Sequence, residues 1–471
     1  MKHRICKEFL WGSATAAYQC EGAAHEGGRG DSQWDAFLES SANGGGITGA
    51  VSCDHYHHFR EDLRLLKEGG QNTYRMSIAW SRILPDISGE PNPEGIAFYR
   101  SLFQECRDLG IEPFVTLFHY DIPQYLAERG GFENRQTAFE FQRYARVCFD
   151  NFHDLVNLWI TVNEPAYYTY CSYLAADYPP FVADAQRYVT ASYHVMLGHA
   201  LAVQAFREGE YSGQIGIDQD SGYAETPFSD PANQRALRYA ELFYVRWVLD
   251  PAILGQWPHD LRAALEEKGI DLSFVQEEDS EIISCGKSDI LAQNIYTRKN
   301  VQVNTDGVTQ FKVNRKGAGS NIKEGTSIGG WFETIDDPTV ERNPWGREIY
   351  PQCMYDTLTG IKRDYGDIPI YIAENGHGMY ENPDGEGYVE DDERIGILKR
   401  FIDSMVKAID EGVNVKGYYV WSTMDLYSWI NGYQKRYGLV RVDYDDNLKR
   451  IPKKSYYWYR DYIKQLMDES A

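Results

Sequence analysis

Two glutamates stand where a strand gives way to a turn. Glu374 lies near the end of Ile368-Pro-Ile-Tyr-Ile-Ala-Glu-Asn-Gly376, and Glu164 near the end of Leu158-Trp-Ile-Thr-Val-Asn-Glu-Pro165. Each run reads as a buried strand that ends on a carboxylate and breaks at once at Asn-Gly or Pro. A carboxylate there is costly unless it is hydrogen-bonded or used. One alone is readily explained by an arginine partner or a helix N-terminus. Two on one chain, with Gln19, Arg75 with Trp80, His119, Asn163, Tyr296 and Trp421 at or near other strand ends, argue for a reaction. Paired carboxyls suit glycoside hydrolysis: one protonates the departing oxygen while the other attacks or stabilises the anomeric centre. The roles require different proton affinities, so one carboxyl must stay protonated near neutral pH. No Ser/His/Asp nucleophile elbow and no phosphate-cradling glycine loop competes with this reading.

The elements that must position these groups alternate along the chain. Strand-like runs are expected at residues 9–19, 73–80, 112–119, 158–164, 214–218, 289–296, 368–374 and 415–422. Helical spacing is expected at 55–67, 95–110, 137–152, 185–208, 231–249, 355–365 and 392–412. Eight strands mostly separated by helices predict a closed parallel (β/α)8 barrel with long βα loops, and one catalytic domain over residues 1–471. Such barrels gather polar groups at the C-terminal ends of their strands, where these residues fall. Residues 21–30 and 41–49 read as loops. Residues 301–341, rich in glycine and charge, read as a long loop over the barrel mouth. His55, His57 and His58 match no familiar metal-ligand spacing and read as helix-surface or core histidines.

Composition narrows the classes. The chain has 471 residues, 43% of them hydrophobic and 25% charged, with 35 Tyr and 11 Trp, which is globular rather than disordered. A net charge of −23 provides no basic field for a phosphate backbone, so a general nucleic-acid partner is excluded. The eight cysteines form no CxxC pair or zinc spacing. The first residues carry no apolar leader core, and no segment approaches a membrane span. A soluble cytoplasmic protein with free thiols is expected, without metal or organic cofactor. Homo-oligomerisation stays open.

Phe9-Leu-Trp-Gly-Ser-Ala-Thr-Ala-Ala-Tyr-Gln19, Thr161-Val-Asn-Glu-Pro165 and Ile372-Ala-Glu-Asn-Gly376 resemble the signatures of glycoside hydrolase family 1, the retaining β-glycosidases, in order along essentially the whole chain. The resemblance implies that Glu374 is the nucleophile and Glu164 the general acid, then base. It implies carboxyl groups about 5–5.5 Å apart. Arg75 and Tyr296 would hold Glu374 ionised, and Asn163 would bind the sugar 2-hydroxyl. Gln19 and His119 would bind the 3- and 4-hydroxyl side, with Trp421 as the floor under the ring.

The segment from Trp421 to Tyr437 carries the choice of sugar. Family members acting on plain glucosides commonly have Glu at the Ser428 position and Phe at the Tyr437 position. Here Ser428, Lys435 and Tyr437 resemble the anion pocket of the 6-phospho-β-glycosidase branch, built for charge-assisted bonds to a phosphate. Trp429 is also found in phospho-β-galactosidases and bears on the O4 choice. The substrate expected is a phosphorylated β-glycoside, a 6-phospho-β-glucoside in first place. A 6-phospho-β-galactosidase or dual enzyme, an unphosphorylated β-glucosidase and a non-catalytic sugar-binding member are the alternatives. One departure concerns the leaving group: Trp345-Gly-Arg-Glu-Ile349 has Arg347 where the family usually has a Trp platform for the aglycone.

Overall fold

A computed structural model describes residues 5–40, 46–220, 222–312, 325–429 and 431–470. Its centre is a closed parallel barrel of β1 (Leu10–Ala14), β2 (Thr73–Ser77), β3 (Glu112–Phe118), β4 (Leu158–Val162), β5 (Gln214–Asp220), β6 (Ile290–Asn294), β7 (Ile370–Asn375) and β8 (Val415–Trp421). Closure is made by β1, which pairs with β8 from Leu10↔Gly417 to Ala14↔Trp421 and with β2 from Gly12↔Thr73 to Ala14↔Arg75. Long helices alternate with the strands: α1 (His55–Glu68), α2 (Pro93–Asp108), α3 (Gln136–Phe152), α4 (Ala185–Glu208), α5 (Pro231–Glu241), α6 (Gln352–Tyr365), α7 (Asp392–Asp410) and α8 (Lys454–Ser470).

Local chemistry explains where these elements begin. Asn92 accepts from the Glu94 N–H at 3.2 Å ahead of Pro93, so α2 opens two residues before the expected start. Asp184 caps α4 through the Arg187 N–H at 2.9 Å, and Asp230 caps α5 through the N–H groups of Ala232 and Asn233. Glycine permits two close approaches behind β7. A Cβ on Gly376 would lie 1.8 Å from the Trp421 carbonyl oxygen, and one on Gly378 would lie 2.6 Å from Lys435 Cγ. The turn after Glu374 is thereby pressed against the end of β8 and the segment that follows it.

Three expectations are corrected. β2 stops at Ser77. Trp80 starts a short helix and is fully buried, stacked on Tyr144 at 5.0 Å, so it packs behind the barrel instead of lining the site. Gln19 lies on the helical turn Ala17–Cys20 beyond β1 rather than on a strand. Within 301–341 the chain is not simply a loop. Strands Lys299–Gln302, Gln310–Lys312, Gly325–Ile328 and Phe332–Thr334 join Ala224–Glu225 in a five-stranded sheet over the mouth. Short, polar, glycine-broken strands give too little periodicity to be read from sequence. Residues 313–324 of that stretch, and 41–45 of the loop expected at 41–49, lie outside the described residues. Among the described residues no helix is long and apolar enough to cross a membrane. All eight cysteines are free thiols.

His55 serves the fold. Its Nδ1 lies 2.8 Å from Asp62 Oδ2, and Arg450 donates to the same buried carboxylate at 2.8 and 3.1 Å, tying α1 to the strand Lys449–Pro452. Burial alone would raise the Asp62 pKa, but the bonds from His55 and Arg450 outweigh it and hold the group below the ordinary carboxylate range. A depressed folded pKa gives stability that is present above the unfolded value and lost as pH falls through the folded one. Arg450→Leu should therefore cost about 3–5 kcal/mol at neutral pH. Thermal midpoints measured against pH should show that deficit shrinking below about pH 4; a pH-independent deficit would contradict the ion-pair account.

Candidate active site

Arg75 is the centre of the site. It projects from β2 into the barrel with 0% exposure. Nη1 donates to Glu374 Oε1 at 2.6 Å and to the Ala373 carbonyl at 3.2 Å. Nη2 donates to Asn163 Oδ1 at 2.5 Å and to Asp218 Oδ2 at 2.7 Å. One guanidinium thus joins β2 to groups on or just past β4, β5 and β7. The Tyr296 hydroxyl, two residues beyond β6, donates to Glu374 Oε2 at 2.7 Å. Both oxygens of Glu374 accept from fixed donors, one of them a cation.

Glu164 has different neighbours. It follows Asn163 at the end of β4 in a left-handed backbone conformation with φ 44°, and its N–H donates to the Asp218 carbonyl at 3.0 Å. A non-glycine residue held there costs about 1–3 kcal/mol, a strain that clusters at functional sites. Oε1 accepts from Asn294 Nδ2 at 2.8 Å, and Oε2 accepts from the Tyr120 hydroxyl. Among the described residues no cation makes an ion pair or hydrogen bond with it.

Burial pushes both carboxyls above the ordinary carboxylate range, and their surroundings then separate them. Glu164 is pushed well above it, by burial first and then by the charges of Glu374, Asp220 and Asp218. Glu374 rises less, because Arg75 and the Tyr296 hydroxyl favour its ionised form. The two carboxyls therefore differ in proton affinity, Glu164 holding its proton more tightly than Glu374. The surrounding donors stay neutral. Burial raises Tyr120 and Tyr296 well above the usual tyrosine value. Burial, then Arg75, drives His119 well below the usual histidine value.

The sugar-binding candidates gather around the pair. His119 stacks on Trp421 at 5.9 Å with 15° between the planes, and its Nε2 lies 3.3 Å from Asn163 Nδ2. Gln19 Nε2 donates to the Tyr427 carbonyl at 2.7 Å, and the Tyr427 N–H donates to the Gln19 carbonyl at 2.9 Å. This anchors Gln19 beside Ser428. Gln19 Oε1 and His119 Nδ1 are buried without a partner among the described residues, so both keep hydrogen-bonding capacity in hand. Trp429 is half-buried among Trp34 at 4.6 Å, Tyr18 at 5.5 Å and Tyr120 at 5.7 Å.

Ser428 opens a turn closed by its backbone bonds with Gly432. Lys435, on the returning limb, lies with Nζ 5.1 Å from the Trp345 ring centroid and 5.5 Å from that of Tyr437. Lys435 is only 8% exposed, and among the described residues it makes no ion pair. Arg347 lies over the other face of the site, its guanidinium carbon 5.3 Å from the Tyr296 ring centroid.

Sequence reasoning missed Tyr120, Asp218 and Asn294. Asp218 and Asn294 were legible as polar residues late in otherwise apolar strands, within Gln-Ile-Gly-Ile-Asp218 and Ile-Leu-Ala-Gln-Asn294. Tyr120 carried no comparable signal; only its φ of 74° marks the place where β3 hands over to its loop. Among the described residues no cluster of His, Cys, Asp or Glu is placed to hold a metal ion.

A chain with this barrel and this carboxyl pair has many counterparts. The glycosyl hydrolase family 1 model matches residues 1–467. Beta-glucosidase A of Acetivibrio thermocellus is 38% identical over 97% of this chain and 98% of its own. The aryl-phospho-beta-D-glucosidase BglC of Bacillus subtilis is 39% identical over 97% of each chain. A 6-phospho-beta-galactosidase of Streptococcus mutans is 38% identical over 98% of each. Among solved structures, a beta-glucosidase from Thermotoga maritima in complex with glucoimidazole superposes with a TM-score of 0.88 at 34% identity, covering 99% of this chain and 100% of that one. With matches that run nearly end to end on both sides, the chain belongs to glycosyl hydrolase family 1 and is an enzyme that hydrolyses β-glycosides.

Proposed function

We propose that the protein is a cytoplasmic retaining 6-phospho-β-glycosidase, formed as one catalytic domain over residues 1–471. Its main substrates are 6-phospho-β-glucosides, with 6-phospho-β-galactosides shared. The observation that carries the phosphate reading is Lys435, a largely buried side chain whose ammonium makes no ion pair among the described residues. An ammonium placed there without a protein counter-charge is suited to an anionic group on the sugar. The Tyr437 phenol and the Ser428 hydroxyl add donors, and Ser428 keeps a carboxylate away from O6. Relatives named as phospho-β-glycosidases support the reading, though a relative named beta-glucosidase A stands at nearly the same identity. Free thiols throughout fit a reducing compartment.

In the reaction, Glu374 attacks the anomeric carbon while Glu164 gives its proton to the departing glycosidic oxygen. The C–O bond to the aglycone breaks, and a glycosyl ester forms on Glu374. Glu164, now ionised, takes a proton from water, whose oxygen displaces Glu374 and restores the original anomer. Arg75 and Tyr296 keep the attacking oxygens charged and aimed. Asn163 bonds the 2-hydroxyl, Gln19 and His119 bond the 3- and 4-hydroxyls, and Trp421 lies under the ring. Trp429 bears on the configuration at C4.

Aryl β-glucosides and β-galactosides, each with and without a 6-phosphate, test the substrate. Two charge-assisted bonds predict kcat/KM at least about 100-fold higher with the phosphate. Ser428→Glu should lose activity on the phosphorylated member of each pair and spare the plain one. Equal rates within a pair would make the enzyme an ordinary β-glycosidase.

Glu164 donates only while protonated. Its folded pKa is raised, so the donor is present at neutral pH and lost as pH rises through the folded value. Glu164→Gln should abolish the alkaline limb of kcat/KM and slow hydrolysis of poor leaving groups about 10²–10⁴-fold. A variant that keeps the wild-type alkaline limb would remove Glu164 from the acid role.

A further inference from the structure

One hydrogen bond to Glu164 has a direction that its neighbours dictate. We propose that Tyr120 is a positioning residue for the second step of the reaction, its hydroxyl holding Glu164 aimed and ionised for the attack of water. The inference rests on the reading of Glu164 as acid and then base. It does not depend on the phosphate.

Asn163 sets the direction. Its Oδ1 accepts from Arg75 Nη2 at 2.5 Å and from Asn294 Nδ2 at 3.2 Å. A guanidinium offers no acceptor, so the Asn163 amide must turn its Nδ2 the other way, to the Tyr120 hydroxyl oxygen at 3.1 Å. Accepting there, the Tyr120 hydroxyl has its own proton left for Glu164 Oε2. A chain of donors thus runs from Arg75 through Asn163 and Tyr120 to Glu164, and it ends on the carboxyl oxygen that Asn294 does not occupy. The phenol is preset for this contact. Tyr120 is 2% exposed, and its ring stacks on Tyr168 at 5.7 Å with 13° between the planes. Its backbone is left-handed with φ 74°, a region that strains a residue with a side chain and that clusters at functional sites.

A donor on Glu164 works against the first step and for the second. In the first, Glu164 must carry a proton, and burial together with the charges of Glu374, Asp220 and Asp218 favours that. The Tyr120 hydroxyl pulls the other way, because a donated bond favours the carboxylate. Arg75 adds positive charge from a distance. Cys171, Tyr178 and Tyr296, also close to Glu164, stay neutral because burial raises their pKa values. Once the sugar is bonded to Glu374, that carboxyl has lost its charge, and the foremost repulsion on Glu164 is gone. The Tyr120 hydroxyl then offsets the two carboxylates that remain. Water attacks: its oxygen bonds to the anomeric carbon, its proton passes to Glu164, and the ester bond breaks with its electron pair returning to Glu374. Asn163, which bonds the 2-hydroxyl in the proposed reaction, is the middle link, so one chain sets both the sugar contact and the base.

Tyr120→Phe removes the hydroxyl and keeps the ring. On the glycone the enzyme prefers, a 2,4-dinitrophenyl β-glycoside needs no acid to leave, so its kcat reads the second step. An alkyl β-glycoside does need the acid, so its kcat/KM reads the first. In Tyr120→Phe the loss in the former should exceed the loss in the latter at least about tenfold. The alkaline limb of kcat/KM should move up by about one pH unit, since the lost donor favoured the ionised form. Azide, a nucleophile with no proton to give up, should restore kcat on the dinitrophenyl glycoside and yield a glycosyl azide. 3-Fluorotyrosine at position 120, a more acidic phenol of nearly the same shape, should move the limb to lower pH, which a merely loosened site would not do. An equal loss in both steps, or a limb unmoved by either replacement, would overturn the proposal. Glu164→Gln, run alongside, separates the two readings. If it keeps the wild-type alkaline limb, the acid–base reading falls and the role of Tyr120 with it; a limb lost there but unmoved by both Tyr120 replacements refutes Tyr120 alone.

Discussion

A single buried cation organises the interior of this barrel. Arg75 supplies hydrogen bonds to Glu374, Asp218, Asn163 and the Ala373 carbonyl, contacts that tie β2 to three other strands. A guanidinium with no exposure cannot be left short of partners, so β2, β4, β5 and β7 must close in the one register that brings these oxygens together. Asp218 shares the charge. Burial raises its pKa well above the ordinary range while Arg75 opposes the shift, and the Asp218 backbone carbonyl fixes Glu164. The hub that holds Glu374 is therefore also tied, through Asp218, to the backbone of Glu164.

The proposed division of labour rests on unequal neighbours rather than unequal residues. Glu164 and Glu374 are the same side chain in similarly buried places. One has a cation and a phenol; the other has an amide, a phenol and three nearby carboxylates. Desolvation acts on both and the cation on one, which separates their proton affinities. A neutral His119 and neutral tyrosines complete a lining that donates and accepts hydrogen bonds without adding charge.

The barrel was readable because the periodicity of its strands and helices is strong, and Glu164 and Glu374 because a carboxylate closing an apolar run is anomalous. Trp80 was misread because apolar sequence continues past Ser77, where the backbone has already left the sheet for a helix. The sheet over the mouth escaped because Gly325–Ile328 and its partners are held by cross-strand bonds that short polar segments do not announce. Tyr120 and Asn294 escaped for a further reason. Their importance comes from meeting Glu164 across the barrel, 44 and 130 residues away in sequence. At the mouth, a missing carboxylate at Ser428 and an arginine at position 347 were visible as residues, but their meaning depends on Lys435 and Tyr296, which only the fold brings beside them.

The account stands on Glu374 being the carboxylate that bonds to sugar while Glu164 carries the proton. A 2-deoxy-2-fluoro β-glycoside with a good leaving group, in plain and 6-phosphorylated forms, slows the second step and lets the ester accumulate. Peptide mass mapping of the labelled protein should find one adduct, on the peptide that contains Glu374. An adduct on Glu164, or steady turnover to the inverted anomer with no adduct at all, would contradict the division of roles that Arg75 imposes.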